Sequence, residues 1–176
     1  MGKNEHGRGQ FSDRRFYRGM PSKTMKNETP YIFKVKIPSH VDYIPPIRKF
    51  IAEILQIKSF NSKFSFRSEV IVDEICHNAV MYGSQSMDAT VDMICTVYSD
   101  RVEFLINDQG GNAENVRRLK SVMEQRDEEF EKQVEYFKSN KGLGLEIVRM
   151  LSAEFDLKIG KDNVTSIRVV RKREEE

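Results

Sequence analysis

The chain has 176 residues, of which 39% are hydrophobic and 32% charged, with 29 Lys and Arg against 27 Asp and Glu for a net charge of +2. That length suits one domain, and the near-balance of charge argues against a chain built to coat nucleic acid, so no direct nucleic-acid binding is expected. No apolar run approaches the ~20 residues that span a bilayer, and the opening MGKNEHGRGQFSDRR carries no hydrophobic signal segment; a cytoplasmic address with no membrane contact is expected.

Residues 1–29 read as a disordered basic tail, with seven Lys or Arg between Lys3 and Lys26 against Glu5 and Asp13. The domain is expected over 30–173. In YIFKVKI, the residues Tyr31, Phe33, Val35 and Ile37 alternate with polar or less buried positions, the pattern of a half-buried strand. Pro45-Pro46 opens a helix through IRKFIAEILQI, because proline is tolerated in the first turn. SFNSKFS reads as a polar link. A second helix is predicted over about Arg67 to Tyr82 and ends at Gly83, read as a left-handed cap.

TVDMICTV and RVEFLIND follow as two strands joined by a Ser99-Asp100 turn. Cys76 and Cys95 lack metal-ligand spacing and do not suggest a disulfide scaffold. Residues 109–141 form a long, charged, helix-patterned segment, read as a lid. A third helix is predicted over about Leu143 to Ala153, then the strands FDLKI and VTSIRVVR. This order predicts a two-layer α/β sandwich: a mostly antiparallel mixed sheet with helices on one face, not a doubly wound sheet.

Four places carry chemistry. On the second helix, Glu74 and Asn78 are four residues apart at the edge of the apolar arc, with Asp73 and His77 on the polar side. Such a pair suits a Mg²⁺–phosphate site, since Mg²⁺ takes hard oxygen ligands and keeps waters. Taken alone, the pair reads as an exposed pair on an ordinary amphipathic helix, and His77 as a surface histidine. Asp108 continues the alternation of Val102, Phe104 and Ile106, so its carboxylate points into the apolar layer just before Gly110. There it can accept from an exocyclic amine, and Gly110 lets a ligand approach closely; an ordinary turn explains the same residues.

KGLGLEIVRM places Lys141, Gly142, Gly144 and Leu145 at a helix N-terminus, where free amides attract anions. It is neither a P-loop nor a dinucleotide fingerprint. Finally, Thr165 shares a strand face with Ile167 and Val169 and can point its hydroxyl into the core layer beside Asp108.

In this order the four pieces resemble the GHKL ATPase superfamily of gyrase, Hsp90, histidine kinases and MutL. Glu74-x-x-x-Asn78 with Gly83 is similar to its N box, Asp108-x-Gly110 to its first glycine box, Gly142-x-Gly144-Leu145 to its second, and Thr165 to its threonine before the last strand. The opening IPSHVDYIPPIRKFIAEIL resembles the bacterial anti-sigma serine-kinase branch. The resemblance implies a Bergerat-type ATP-binding fold with ATP and Mg²⁺ as cofactors. It places the general base on Glu74, Mg²⁺ on Asn78 and the adenine amine on Asp108. Gly110, Gly142 and Gly144 would shape the pocket, with Thr165 supporting the adenine. The partners implied are an anti-anti-sigma (STAS-like) protein, phosphorylated on Ser or Thr, and a sequestered sigma factor; homodimerisation through the outer sheet face is common in that branch. The chain departs from the family pattern at Tyr82, Asn112 and Val164. Those departures motivate the alternative, a nucleotide-dependent interaction module without kinase activity. A histidine kinase fits less well, since none of His6, His40 and His77 offers a phospho-acceptor motif.

Overall fold

The computed structural model describes residues 29–83, 86–111, 114, 117, 143–160 and 163–173. The basic tail, most of the lid segment, Lys141 and Gly142 lie outside the described residues. The elements run β1 (Tyr31–Pro38), α1 (Ile44–Ile57), α2 (Ser62–Tyr82), β2 (Thr90–Val97), β3 (Arg101–Asn107), α3 (Leu143–Met150), β4 (Glu154–Ile159) and β5 (Thr165–Lys172), with a short 3₁₀ turn at Val41–Tyr43. The strands form one sheet in the order β1-β2-β3-β5-β4. Every pairing is antiparallel.

Register explains the core. Met93 faces Ile106 and Cys95 faces Phe104 across β2 and β3; Phe104 faces Val169 and Ile106 faces Ile167 across β3 and β5. These residues line one face, because side chains alternate with period two, and all are buried. The helices cover that face with Ile51 and Leu55 of α1 and Ile71, Val72 and Ile75 of α2, all inaccessible to solvent. Each such side chain contributes roughly 1.5–3 kcal/mol by leaving water. The opposite face carries ion pairs: Arg168 meets Glu154 and Asp156 at 3.0 and 3.1 Å, and Arg101 meets Glu103 at 2.9 Å.

Three expectations change. Helix α2 begins at Ser62, inside the segment read as a link, because the Asn61 side chain accepts from the Phe64 N–H at 2.7 Å and caps the first turn. Gly83 is not left-handed; its φ of −75° and ψ of −160° are extended. Glycine is needed there for space, since a Cβ would sit 2.3 Å from the Ala79 carbonyl oxygen and 2.8 Å from the Asp108 Cβ. Tyr31 points inward in register but lies at an edge strand beyond the helices and is 54% exposed, with the Lys58 ammonium 3.1 Å from its ring centroid. Cys76 and Cys95 form no disulfide and are fully buried, their thiols pushed up to about 12 by desolvation.

One buried cation joins the layers. Arg171 of β5, 3% exposed, donates to the Phe64 carbonyl at 2.7 Å, the Ser68 hydroxyl at 2.9 Å and the Leu151 carbonyl at 2.9 Å. It thereby ties the start of α2 to the end of α3. Those two helices carry Glu74, Asn78 and Gly144.

Candidate nucleotide-binding site

The site forms where α2, the end of β3, the start of α3 and the start of β5 converge. The apolar stripe of α2 (Ile71, Ile75, Ala79) is buried, which leaves Glu74 and Asn78 half-buried at its edge, as their spacing predicts. His77 is exposed. Asp73 faces α1, where the Arg48 guanidinium lies 3.1 Å from its carboxylate and 3.5 Å from Glu69.

Gly144 of α3 lies directly over Glu74. A Cβ on Gly144 would stand 2.1 Å from Glu74 Oε2 and 3.0 Å from its Cδ. The start of the described helix is thus packed directly against the Glu74 carboxylate. Leu145 is buried in the hydrophobic cluster, so only its backbone is available to a ligand.

Asp108 and Thr165 meet at the end of the core. Both are 6% exposed. Asp108 Oδ1 accepts from the Thr165 N–H and the Gly110 N–H, each at 2.9 Å, and Oδ2 accepts from the Thr165 hydroxyl. Three donors therefore occupy a carboxylate with about four lone-pair sites. One acceptor position remains. Gly110 has φ of 91°, a conformation that only glycine adopts readily.

The profile of the histidine kinase-like ATPase domain matches residues 37–171. The chain belongs to that family. It is 29% identical over 89 residues to the serine-protein kinase RsbW of Bacillus pumilus (strain SAFR-032), covering 49% of this chain and 55% of that protein. It is 26% identical over 124 residues to the serine-protein kinase RsbW of Bacillus mycoides (strain KBAB4), covering 70% of this chain and 75% of that protein. The first of these matches spans little more than half of its relative.

For a histidine kinase-like ATPase domain, the residues present fit Mg²⁺. Asn78 Nδ2 is buried without a hydrogen-bond partner among the described residues. That amide group is a donor, which a phosphate oxygen would satisfy, and the carboxamide oxygen of the same side chain is the atom that would meet the metal. The nearby donors are hard oxygens, which suit Mg²⁺ rather than a softer ion. Among the described residues no group of three or more His, Cys, Asp or Glu is placed to hold a metal, so phosphate oxygens and water would have to complete the coordination. No described helix is long and apolar enough to cross a membrane.

Glu74 has its carboxyl raised above the ordinary carboxylate range. Desolvation is the main cause and the neighbouring Asp73 charge adds to it, while His77 opposes both. A raised carboxylate is a stronger base once ionised.

Several contributors were not legible in the sequence. Gly111 packs so closely that a Cβ would lie 1.8 Å from the Tyr82 carbonyl oxygen; the Gly-Gly pair was its only signal. Gln109 reaches back to β2, accepting from the Thr90 N–H at 3.2 Å and donating to the Thr90 hydroxyl at 2.9 Å. Arg48 has no motif at all.

Proposed function

We propose that this ATPase domain binds ATP with Mg²⁺ and transfers the γ-phosphoryl group to a Ser or Thr hydroxyl of a small partner protein. The observation that carries the reading is the Glu74–Gly144 contact, which sets a carboxylate of raised basicity against a helix N-terminus. Nucleotide binding alone needs no base, whereas phosphoryl transfer to a hydroxyl uses one.

In this reading Asp108 accepts from the adenine amine through its remaining lone pair. Asn78 holds Mg²⁺ through its carboxamide oxygen, and the ion, when bound, neutralises charge on the transferring phosphate. The first-turn amides of α3 and Gly144 accommodate the phosphate oxygens. Lys141 and Gly142 are assigned to the same phosphates. The partner's hydroxyl oxygen bonds to the γ-phosphorus as the bond from that phosphorus to the β,γ-bridging oxygen breaks. The hydroxyl proton passes to the Glu74 carboxylate, and ADP leaves. Positioning and charge neutralisation supply most of the acceleration in such transfers.

The substrate is proposed to be an anti-anti-sigma (STAS-like) protein, and the same chain to sequester a sigma factor. This rests on the resemblance of residues 37–55 to the anti-sigma kinase branch and on the two serine-protein kinase relatives. Phosphorylation adds nearly two negative charges, enough to break an interface and exchange one partner for the other.

The test is transfer of ³²P from γ-labelled ATP to co-purified STAS-like partners, with ATP affinity measured in parallel. Label on a partner serine or threonine supports a kinase. Tight ATP binding with no transfer would instead make the chain a nucleotide-dependent interaction module, and no ATP binding would overturn both.

A further inference from the structure

The loop after β3 is the least self-supporting part of the site. Gly110 and Gly111 have no side chains to anchor it, and glycine backbone retains the most freedom when untethered. One fixing is local, the Gly110 N–H donating to Asp108 Oδ1 at 2.9 Å; the others come from neighbours. Gln109 ties it to Thr90, and Asp108 ties it to Thr165. Beyond Gly110, the hydrogen bonds that hold the loop among the described residues fall on Asn163. The Gly111 N–H donates to the Asn163 carbonyl at 3.4 Å, and the Asn163 side-chain amide donates to the Gly111 carbonyl at 3.3 Å.

Asn163 is itself in an unusual conformation, with φ of 59°. Asparagine is one of the few residues that tolerate the left-handed region. That backbone twist, two residues before Thr165, turns both the carbonyl and the side chain of Asn163 toward Gly111. The family's glycine before the threonine is absent here, and Val164 stands in its place.

Resting on the ATP-binding reading above, we infer that Asn163 is a positioning residue for the adenine pocket. It does not touch the nucleotide. It clamps the Gly111 peptide by a reciprocal pair of hydrogen bonds, and so holds the Asp108–Gly111 backbone in the shape that leaves one lone pair of Asp108 open to the base. Both bonds are long, so neither fixes the loop by itself. Preorganising a loop raises affinity by lowering the ordering required on binding. The effect falls on the base pocket and not on the phosphate end, since Glu74, Asn78 and Gly144 belong to α2 and α3.

The test uses the full chain and two variants. Asn163→Gly keeps the left-handed backbone and loses the side-chain bond. Asn163→Asp keeps the shape, but its carboxylate cannot donate to the Gly111 carbonyl and repels it. Both should bind ADP about 2- to 10-fold more weakly, the scale of one hydrogen bond. Affinity for inorganic tripolyphosphate should be unchanged, and amide exchange at Gly110 and Gly111 should be faster in the nucleotide-free protein. Wild-type ADP affinity in both variants overturns the inference and leaves the ATP-binding reading standing. An equal loss for ADP and tripolyphosphate also overturns it, since that marks general loosening of the fold. Wild-type chain that takes tripolyphosphate but no ADP sinks the adenine reading and this inference with it.

Discussion

The carboxylate of Glu74 and the α-carbon of Gly144 are in contact: a Cβ on Gly144 would lie 2.1 Å from Glu74 Oε2. Glu74 therefore takes the space that a side chain at position 144 would need. Gly144→Ala should push the Glu74 carboxylate aside, because the atom met first is the far end of a flexible side chain. Phosphoryl transfer should fall about 10²- to 10⁴-fold, the usual contribution of a positioned base, while the folding midpoint moves little. Single-turnover transfer and thermal unfolding of the same preparation check both halves.

Glu74→Gln separates binding from chemistry. The amide keeps the shape and cannot take the proton, so ATP should bind while transfer falls ~10²–10⁴-fold. The variant also carries a stability signature. Glu74 is raised by desolvation, so the folded chain holds this proton more tightly than the unfolded chain. Ionising it therefore opposes folding, and that penalty is complete above the folded value and absent below the ordinary value of 4.5. Glu74→Gln should unfold at a higher temperature than wild type at pH 7–8, and the difference should vanish as pH falls below the ordinary value. A constant difference across that range would remove Glu74 as the buried, raised carboxyl.

Asn78 is held in place at an energetic disadvantage. Its buried Nδ2 lacks a partner among the described residues, a burden of roughly 1–3 kcal/mol. Asn78→Ala should abolish the Mg²⁺-dependent part of ATP binding without lowering the unfolding midpoint. Calorimetric titration with and without Mg²⁺, beside thermal unfolding, tests this. Equal Mg²⁺ dependence in variant and wild type would remove Asn78 as a ligand.

Asp108→Asn should weaken ATP at least tenfold and leave inorganic tripolyphosphate nearly unaffected if, as proposed, the carboxylate serves the base and not the phosphates. Its partners make the variant informative. With Oδ1 kept toward the two backbone N–H groups, the new Nδ2 would face the Thr165 hydroxyl, which must turn from donor to acceptor, and two charge-assisted bonds would become neutral ones. A stability loss of about 1–3 kcal/mol is expected as well. Thr165→Val, which removes only the hydroxyl, should show a smaller part of both effects by the same titrations and denaturant curves.

Arg171→Met removes a buried cation that holds the Phe64 and Leu151 carbonyls. Hydrogen bonds to charged groups contribute about 1.5–3 kcal/mol each, so chemical denaturation should show a loss of at least about 3 kcal/mol. Because the clamp spans α2 and α3, loss of ATP affinity should accompany it even where the chain remains folded.

The strands and the placement of the candidate site residues were legible in the sequence because they obey local rules. Alternation over TVDMICTV and RVEFLIN fixed which residues face the core, and the same period carried Asp108 and Thr165 inward to meet each other. Four-residue spacing placed Glu74 and Asn78 at one helix edge. These patterns depend only on the strand and helix repeats, so a single chain read in order suffices. The start of α2 was missed because Ser and Phe have modest helix propensity, and the Asn61 cap acts through one hydrogen bond that the pattern does not announce. What only the tertiary structure decided are the close approaches between distant segments: Gly144 on Glu74, Gly83 on Asp108, Gly111 under Tyr82 and beside Asn163, Arg48 on Asp73, Arg171 on Phe64. Each joins residues that share no period, and each depends on the packing of one element against another. A glycine in the sequence says that space or a special φ is needed; the fold alone says which neighbour takes that space.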